Sequence, residues 1–141
     1  MEKIKFKIVL SGNYKTTAPH AEVSIGNQIV FDAQVTDTSF ISYTGEFENE
    51  GDHQLLIKLK NKQPEHTVVD DKGNIVKDSL LEIKQVIMED IEVHNSFSLD
   101  KEKFYYEHSG QQDTLYNTLG VNGQAVINFT TPFYVWLLET I

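Results

Sequence analysis

The sequence predicts an all-β domain closed by a short C-terminal helix. Short apolar stretches of period two recur along the chain, and the dipeptides Gly26-Asn27 and Asn122-Gly123 stand beside such stretches. The chain then closes in one dense aromatic segment, Phe129-Thr-Thr-Pro132-Phe133-Tyr134-Val-Trp136-Leu-Leu-Glu-Thr-Ile141. Period two places alternate side chains on one face of a strand. The Gly/Asn dipeptides supply the positive φ of tight hairpins, and Pro132 suits the first turn of a helix.

In Lys3 to Leu10 the apolar Ile4, Phe6, Ile8 and Leu10 share one face and Lys3, Lys5 and Lys7 the other. This predicts a first strand with one wet side, ended by Ser11-Gly-Asn-Tyr14. Ala21, Val23 and Ile25 alternate next, and Gly26-Asn27 turns them into Gln28 to Phe31 as a hairpin. Phe40 to Phe47 and Gln54 to Leu59 form a second predicted pair around the acidic turn Glu48 to His53, with Leu55, Ile57 and Leu59 inward. Asn61 to Lys77 is polar and centred on Asp70-Asp71-Lys72-Gly73-Asn74, the composition of a small protruding hairpin.

Leu81, Ile83, Val86, Met88 and Ile91 change spacing from two to three, which predicts a bulge or turn near Lys84-Gln85 and strand continuing through Val93. Leu99 to Tyr106 reads as a helical turn capped by Ser98. Tyr116 to Val121 and Ala125 to Phe129 read as a last hairpin about Asn122-Gly123, and the helix follows with Thr131 or Thr130 as cap. With no repeat and no linker, the chain divides as one domain, residues 1–93 forming the body and 94–141 an elaboration that completes the sheet and ends in the aromatic helix.

Twenty-one acidic against twelve basic residues give a net charge of −9, which opposes a phosphate backbone or an anionic membrane as partner. No nucleic acid and no membrane are expected as partners. The absence of cysteine removes disulfides, thiolate metal sites and thiol nucleophiles together. The N-terminus begins charged and alternates, unlike the apolar core of a signal peptide, and no apolar run approaches the roughly 20 residues of a membrane helix. Both point to synthesis and folding in a cytoplasm.

The five histidines lack the i, i+4 spacing of a zinc helix, and Gly-x-Ser-x-Gly, phosphate-loop and dinucleotide patterns are missing. Carboxylate pairs occur at Asp70-Asp71 and Glu89-Asp90, but neighbours on a strand point to opposite faces. The expectation is a non-enzyme. Phe6, Phe31, Phe40, Phe47 and Phe129 fall in strand patterns and are expected in the core, whereas Tyr14 lies in a Gly-Asn loop and is the ring placed to meet a ligand. Phe133, Trp136, Leu137 and Ile141 recur at helical spacing, a face that packs on the sheets or on a neighbouring subunit.

The stretch Ile4 to Val93 carries Leu10-Ser-Gly-Asn-Tyr14, Pro19-His-Ala-Glu-Val23-Ser-Ile25-Gly26-Asn27, Leu55-Leu-Ile57-Lys-Leu59-Lys-Asn61 and Asp78-Ser-Leu-Leu81-Glu82-Ile83. In these pieces it resembles the calcium-dependent carbohydrate-binding (xylan-binding) jelly-roll modules. The resemblance implies a jelly-roll β-sandwich that binds glycans. It implies calcium oxygens from Asn61, Asp70, Asp71 and Asp78, and a sugar held by Asp71 with its ring stacked on Tyr14. This chain departs from the family's compact Asp-rich loop, because Lys62 to Lys77 separates Asn61 from Asp78. Loss of the metal site, with the sandwich kept as a scaffold, is therefore the alternative.

Leu119-Gly-Val-Asn122-Gly123 and Phe129 to Glu139 look like the C-terminal part of small virion proteins of tailed bacteriophages that contain this same module. That likeness implies a virion accessory protein made in the bacterial host cytoplasm, with other virion proteins and host-surface polysaccharide as partners. The rival expectation is purely structural: capsid decoration or tail and neck assembly, with Phe133, Tyr134 and Trp136 as the interface and a homo-oligomer among the outcomes.

Overall fold

The computed structural model describes residues 1–94 and 100–140. Its strands are β1 (Glu2–Tyr14), β2 (His20–Ile25), β3 (Gln28–Gln34), β4 (Thr38–Phe47), β5 (Gly51–Lys60), β6 (Val68–Val69) and β7 (Ile75–Lys77). There follow β8 (Ser79–Met88), β9 (Ile91–Glu92), β10 (Phe104–His108), β11 (Gln111–Thr114), β12 (Thr118–Leu119), β13 (Gly123–Thr131) and the helix α1 (Phe133–Thr140).

Two antiparallel sheets face each other. One runs β12-β8-β1-β4 with β9 beside β8, the other β11-β10-β13-β5-β2-β3, and β6-β7 stands apart as a two-stranded hairpin. Alternation decides the inner faces: Ile4, Phe6, Ile8 and Leu10 of one sheet meet Leu55, Ile57, Leu59, Ala125, Ile127 and Phe129 of the other in a single core. The chain changes sheet after β1, β3, β4, β9, β11 and β12, and passes from β5 to β8 through the β6-β7 hairpin. Wrapping of this kind makes a β-sandwich of jelly-roll type.

Local signals hold where pairing is local. Gly26 and Asn27, at φ 55° and 73°, join β2 to β3 as a hairpin. The bulge in β8 falls at Lys84, because Val9 pairs with Gln85 and Leu10 with Ile83. The insertion forms the β6-β7 hairpin.

Non-local pairing departs from expectation. β4 and β5 are not partners: β4 lies against β1 and β5 between β13 and β2, so residues 48–50 are a corner between sheets. Asn122-Gly123 is likewise a crossing from β12 to β13, with the Asn122 side chain bonded to the Lys62 backbone and Gly123 so close to the Glu107 carbonyl oxygen that a Cβ would lie 2.4 Å from it. β1 does not stop at Ser11 but runs on to Tyr14, since β8 continues to pair with it and Gly12 leaves room for the Val35 carbonyl. After Met88 the chain turns at Glu89-Asp90 into β9 instead of continuing as one strand.

Residues 104–106, expected as the end of a helical turn, begin β10, because Phe104 and Tyr106 alternate inward against β13. Ser98 and Leu99 lie outside the described residues. Phe40 is 79% exposed rather than core, since Ile41, Tyr43 and Phe47 fix the opposite phase of β4.

The helix closes one end. Phe133, Trp136 and Leu137 are buried, and the rings join Phe6, Phe47 and Phe129 in a cluster with tilted and edge contacts at 5.5–6.5 Å. Glu2, at the start of β1, accepts a hydrogen bond from the Phe133 amide (2.9 Å) and caps the helix in place of the expected threonines. Trp136 Nε1 donates to the Asn128 carbonyl (3.0 Å), on the stretch of β13 that β10 leaves unpaired, so the helix also covers a sheet edge.

Candidate functional site

The two ends of the sandwich offer different surfaces. The aromatic end holds the β2-β3 turn, the β4-β5 corner, Thr131 and α1; the other end holds Tyr14, Lys60 to Lys62, Asp78 and Gly120 to Asn122. We refer to the latter as the polar end.

A groove of about 880 Å³ opens across the aromatic end. Its rim carries the exposed Asn27, Gln28, Asp52, Gln54 and Glu139 with the half-buried Asn128, over a floor formed by Tyr43, Phe47, Phe129 and Trp136. Each side chain arrives there by strand phase: Asp52 and Gln54 of β5 point outward opposite Thr130 and Asn128 of β13. Gln54 Nε2 donates to Asn128 Oδ1 (2.9 Å), and Asn128 Nδ2 donates to the Glu102 carbonyl (3.2 Å), which fixes the orientation of the Asn128 amide. Carboxamides both donate and accept and carboxylates accept, so this rim complements groups that, like hydroxyls, do both. Farther along the same sheet face the charges are paired among themselves. Glu22 meets Lys60 at 3.0 Å and Lys58 at 3.5 Å, and Lys60 also meets Asp32 at 3.0 Å. The Lys60 hydrogen bond, with the charges of Lys60 and Lys58, holds the Glu22 carboxyl below its usual range.

The structure brings several predicted residues to the polar end without making them a metal cage. Tyr14 pairs with Ser79 across β1 and β8, beside Asp78, but its hydroxyl donates to the Thr36 carbonyl (3.0 Å), which ties the ring to the β3-β4 connection. Asn61 turns the chain at φ 63° and lines a small pocket of about 210 Å³ with His20, Gln34 and His66. Asp70 Oδ1 accepts from the amides of Lys72 and Asn74, both at 2.9 Å, and the Asn74 and Lys72 bonds hold its carboxyl low. It caps the β6-β7 turn. Asp71 is exposed at that tip.

Asp78 sits at the other end of the hairpin, level with Thr67, whose hydroxyl donates to it at 2.7 Å. Three residues of strand separate the levels of Asp70 and Asp78, roughly 10 Å. Each carboxylate is also held by partners of its own, Asp70 by the amides of its turn and Asp78 by Lys62, Thr67 and the Ser79 amide. Among the described residues no three His, Asp or Glu side chains gather to hold a metal ion. Phe133 and Trp136, read as interface, face the protein's own core at 1% exposure, while Tyr134 stands 65% exposed.

No family model matches the chain, and no curated protein matches it in sequence. Two solved structures are similar to it. One is described as vCBM60 in complex with galactobiose: 12% identity, 88% of this chain and 98% of that chain covered, TM-score 0.49. The other is a SeMet form of vCBM60, described with a circular permutation that links two families of calcium-dependent carbohydrate binding modules: 11% identity, 88% and 89% covered, TM-score 0.49.

Sequence reasoning missed Gln54, Asn128 and Lys62. Gln54 and Asn128 sit at wet positions of alternating strands, which was readable, but their adjacency depends on β5-β13 pairing across a separation of 74 residues. Lys62 has no local signal beyond its place after β5.

Proposed function

We propose that this chain is a non-catalytic carbohydrate-binding β-sandwich that takes a glycan in the groove across the aromatic end. The observation that carries it is the pairing of a carboxamide and carboxylate rim with an apolar, ring-bearing floor in one open groove of about 880 Å³. Sugars present hydroxyl edges and apolar faces together, and such a groove meets both. Gln54 and Asp52 contact hydroxyls, and Tyr43 is the half-buried ring on the floor. Tyr14 and Asp71 at the polar end are the competing sugar contacts. The resemblance of residues 119–139 to phage virion proteins supports a particle as its setting, where many weak sites act together, reached from the host cytoplasm where virion parts are made.

The test is a glycan array followed by calorimetric titration of the best hit. Loss of binding in Gln54→Ala and Asp52→Ala, with Tyr14→Ala unaffected, is the expected result. Loss only in Tyr14→Ala or Asp71→Ala would move the site to the polar end, and an array without hits would sink the reading.

One observation favours a second reading, assembly without a ligand: Tyr134, Val135 and Leu138 are 65%, 48% and 74% exposed along one helix whose other face is core. Light-scattering mass of the protein and of Tyr134→Ser/Leu138→Ser tests it, a discrete oligomer lost in the variant being the supporting outcome.

A further inference from the structure

The cation at the polar end is already part of the chain. Lys62 follows β5, and its side chain, 11% exposed, runs inward between the sheets' connections. Its Nζ donates to Asp78 Oδ1 (2.7 Å) and to the Gly120 carbonyl (2.5 Å). Its backbone is clamped as well: the Lys62 amide donates to Asn122 Oδ1 (3.0 Å) and Asn122 Nδ2 donates to the Lys62 carbonyl (2.9 Å). Asp78 Oδ1 in turn accepts from Thr67 Oγ1 (2.7 Å) and the Ser79 amide (2.8 Å). One ammonium thus joins the segment after β5 and the crossing into β13 to the entry of β8, tying connections of both sheets together.

A calcium ion would use the same currency, carboxylate and carbonyl oxygens converging from separate loops. The oxygens of Asp78 and Gly120 converge here on nitrogen. A divalent ion could take them only by expelling the ammonium, whose charge repels it at close range. The other implied ligands do not compensate, since Asp70 is committed to its own turn on the far side of the hairpin. The residues do not fit the metal.

We propose that Lys62 is a built-in cation that does the loop-tying a divalent metal would otherwise do, so that this chain holds its polar end together without calcium. Burial pushes the Asp78 carboxyl up, but the bonds from Lys62, Thr67 and Ser79 and the Lys62 charge outweigh it and leave the carboxyl below its usual range, in keeping with a permanent ion pair.

Thermal unfolding of the full chain tests this without any glycan, so its outcome is separate from that of the groove reading. The unmodified protein should melt at the same temperature, within about 1 °C, in excess calcium and in excess chelator. Lys62→Ala should melt roughly 6 °C lower in both, and Lys62→Gln, which keeps a donor and loses the charge, should fall between. In the unmodified protein the Lys62 ammonium should also give a resolved proton–nitrogen NMR signal at neutral pH, because its protons are held in hydrogen bonds. A melting temperature that rises with calcium and loses that rise in Asp78→Asn would overturn the proposal. So would Lys62→Ala melting like the parent.

Discussion

The two ends of this sandwich are closed by opposite physics. At the aromatic end Phe6, Phe47, Phe129, Phe133 and Trp136 exclude water by filling space, and the helix that brings two of them is capped by a single carboxylate, Glu2. At the polar end Lys62, Asp78, Thr67 and Asn122 hold loops together by directed bonds. Filled space tolerates a small shift and loses contact gradually, whereas a charged hydrogen-bond network fails when one member is removed, because its partner is left unpaired. The aromatic end therefore has the larger energy, and the polar end the sharper dependence on one residue.

Trp136→Ala should destabilise the protein most. Removing a fully buried indole costs about 3–5 kcal/mol through lost transfer energy and the cavity left behind, and here it also frees the Asn128 carbonyl. Urea unfolding should show the loss in the midpoint. Lys62→Ala should cost about 2 kcal/mol, below the usual range for a fully buried pair, because Asp78 keeps 20% of its side chain in contact with solvent. The ends share no partner, so the double variant should equal the sum of the singles within about 0.5 kcal/mol. A larger discrepancy would mean that the core transmits strain from one end to the other.

The same contrast explains what could be read in the chain beforehand. The aromatic end was legible because helical spacing and strand alternation are local: Phe133, Trp136 and Leu137 announce one face, and Phe6 and Phe129 announce their strand phases. Which sheet a strand joins is not local. Asn122-Gly123 has the chemistry of a hairpin turn, yet β12 had β8 and β13 had β5 as better partners, and the dipeptide became a crossing. Phe40 and Ile41 are adjacent and both apolar, so either could have set the phase of β4, and Ile41 did so together with Tyr43 and Phe47. The polar end was hardest, since Lys62 and Asp78 meet only after the β6-β7 hairpin has folded back between them. The groove, likewise, depends on β5 and β13 lying side by side.

A third, smaller effect is set by pH. Burial lowers the pKa of His94, outweighing the hydrogen bond with Asn117 Oδ1 (2.6 Å) and the nearby Glu92 charge. Its folded value lies below the ordinary 6.5, so on acidification the unfolded chain takes the proton first. Stability from this group is full above about pH 6.5 and falls as the pH drops from there toward the folded value. Asp78 has a lowered value too, so its contribution is present above its ordinary 3.8 and is lost as the pH falls below that. Melting temperature against pH should thus decline in two stages. His94→Gln should flatten the upper one and Lys62→Ala the lower one; a profile unchanged by either would remove these residues as its cause.

The smallest effect concerns the turn between β8 and β9, which closes the first sheet with two acidic residues at φ 49° and 65°. Glu89 and Asp90 both occupy left-handed backbone, where a Cβ crowds the following carbonyl and glycine does not. The Glu89 amide donates to the Lys5 carbonyl (2.9 Å), so the turn is held in place by β1 and cannot relax by moving away. Asp90→Gly puts the preferred residue at the second position of such a two-residue turn. Relief of the left-handed strain outweighs the added freedom of glycine in the unfolded chain, and the net gain should be about 0.5 kcal/mol, read as a rise of roughly 2 °C in melting temperature. A fall instead would show that the Asp90 side chain stabilises the turn by more than its backbone strain costs.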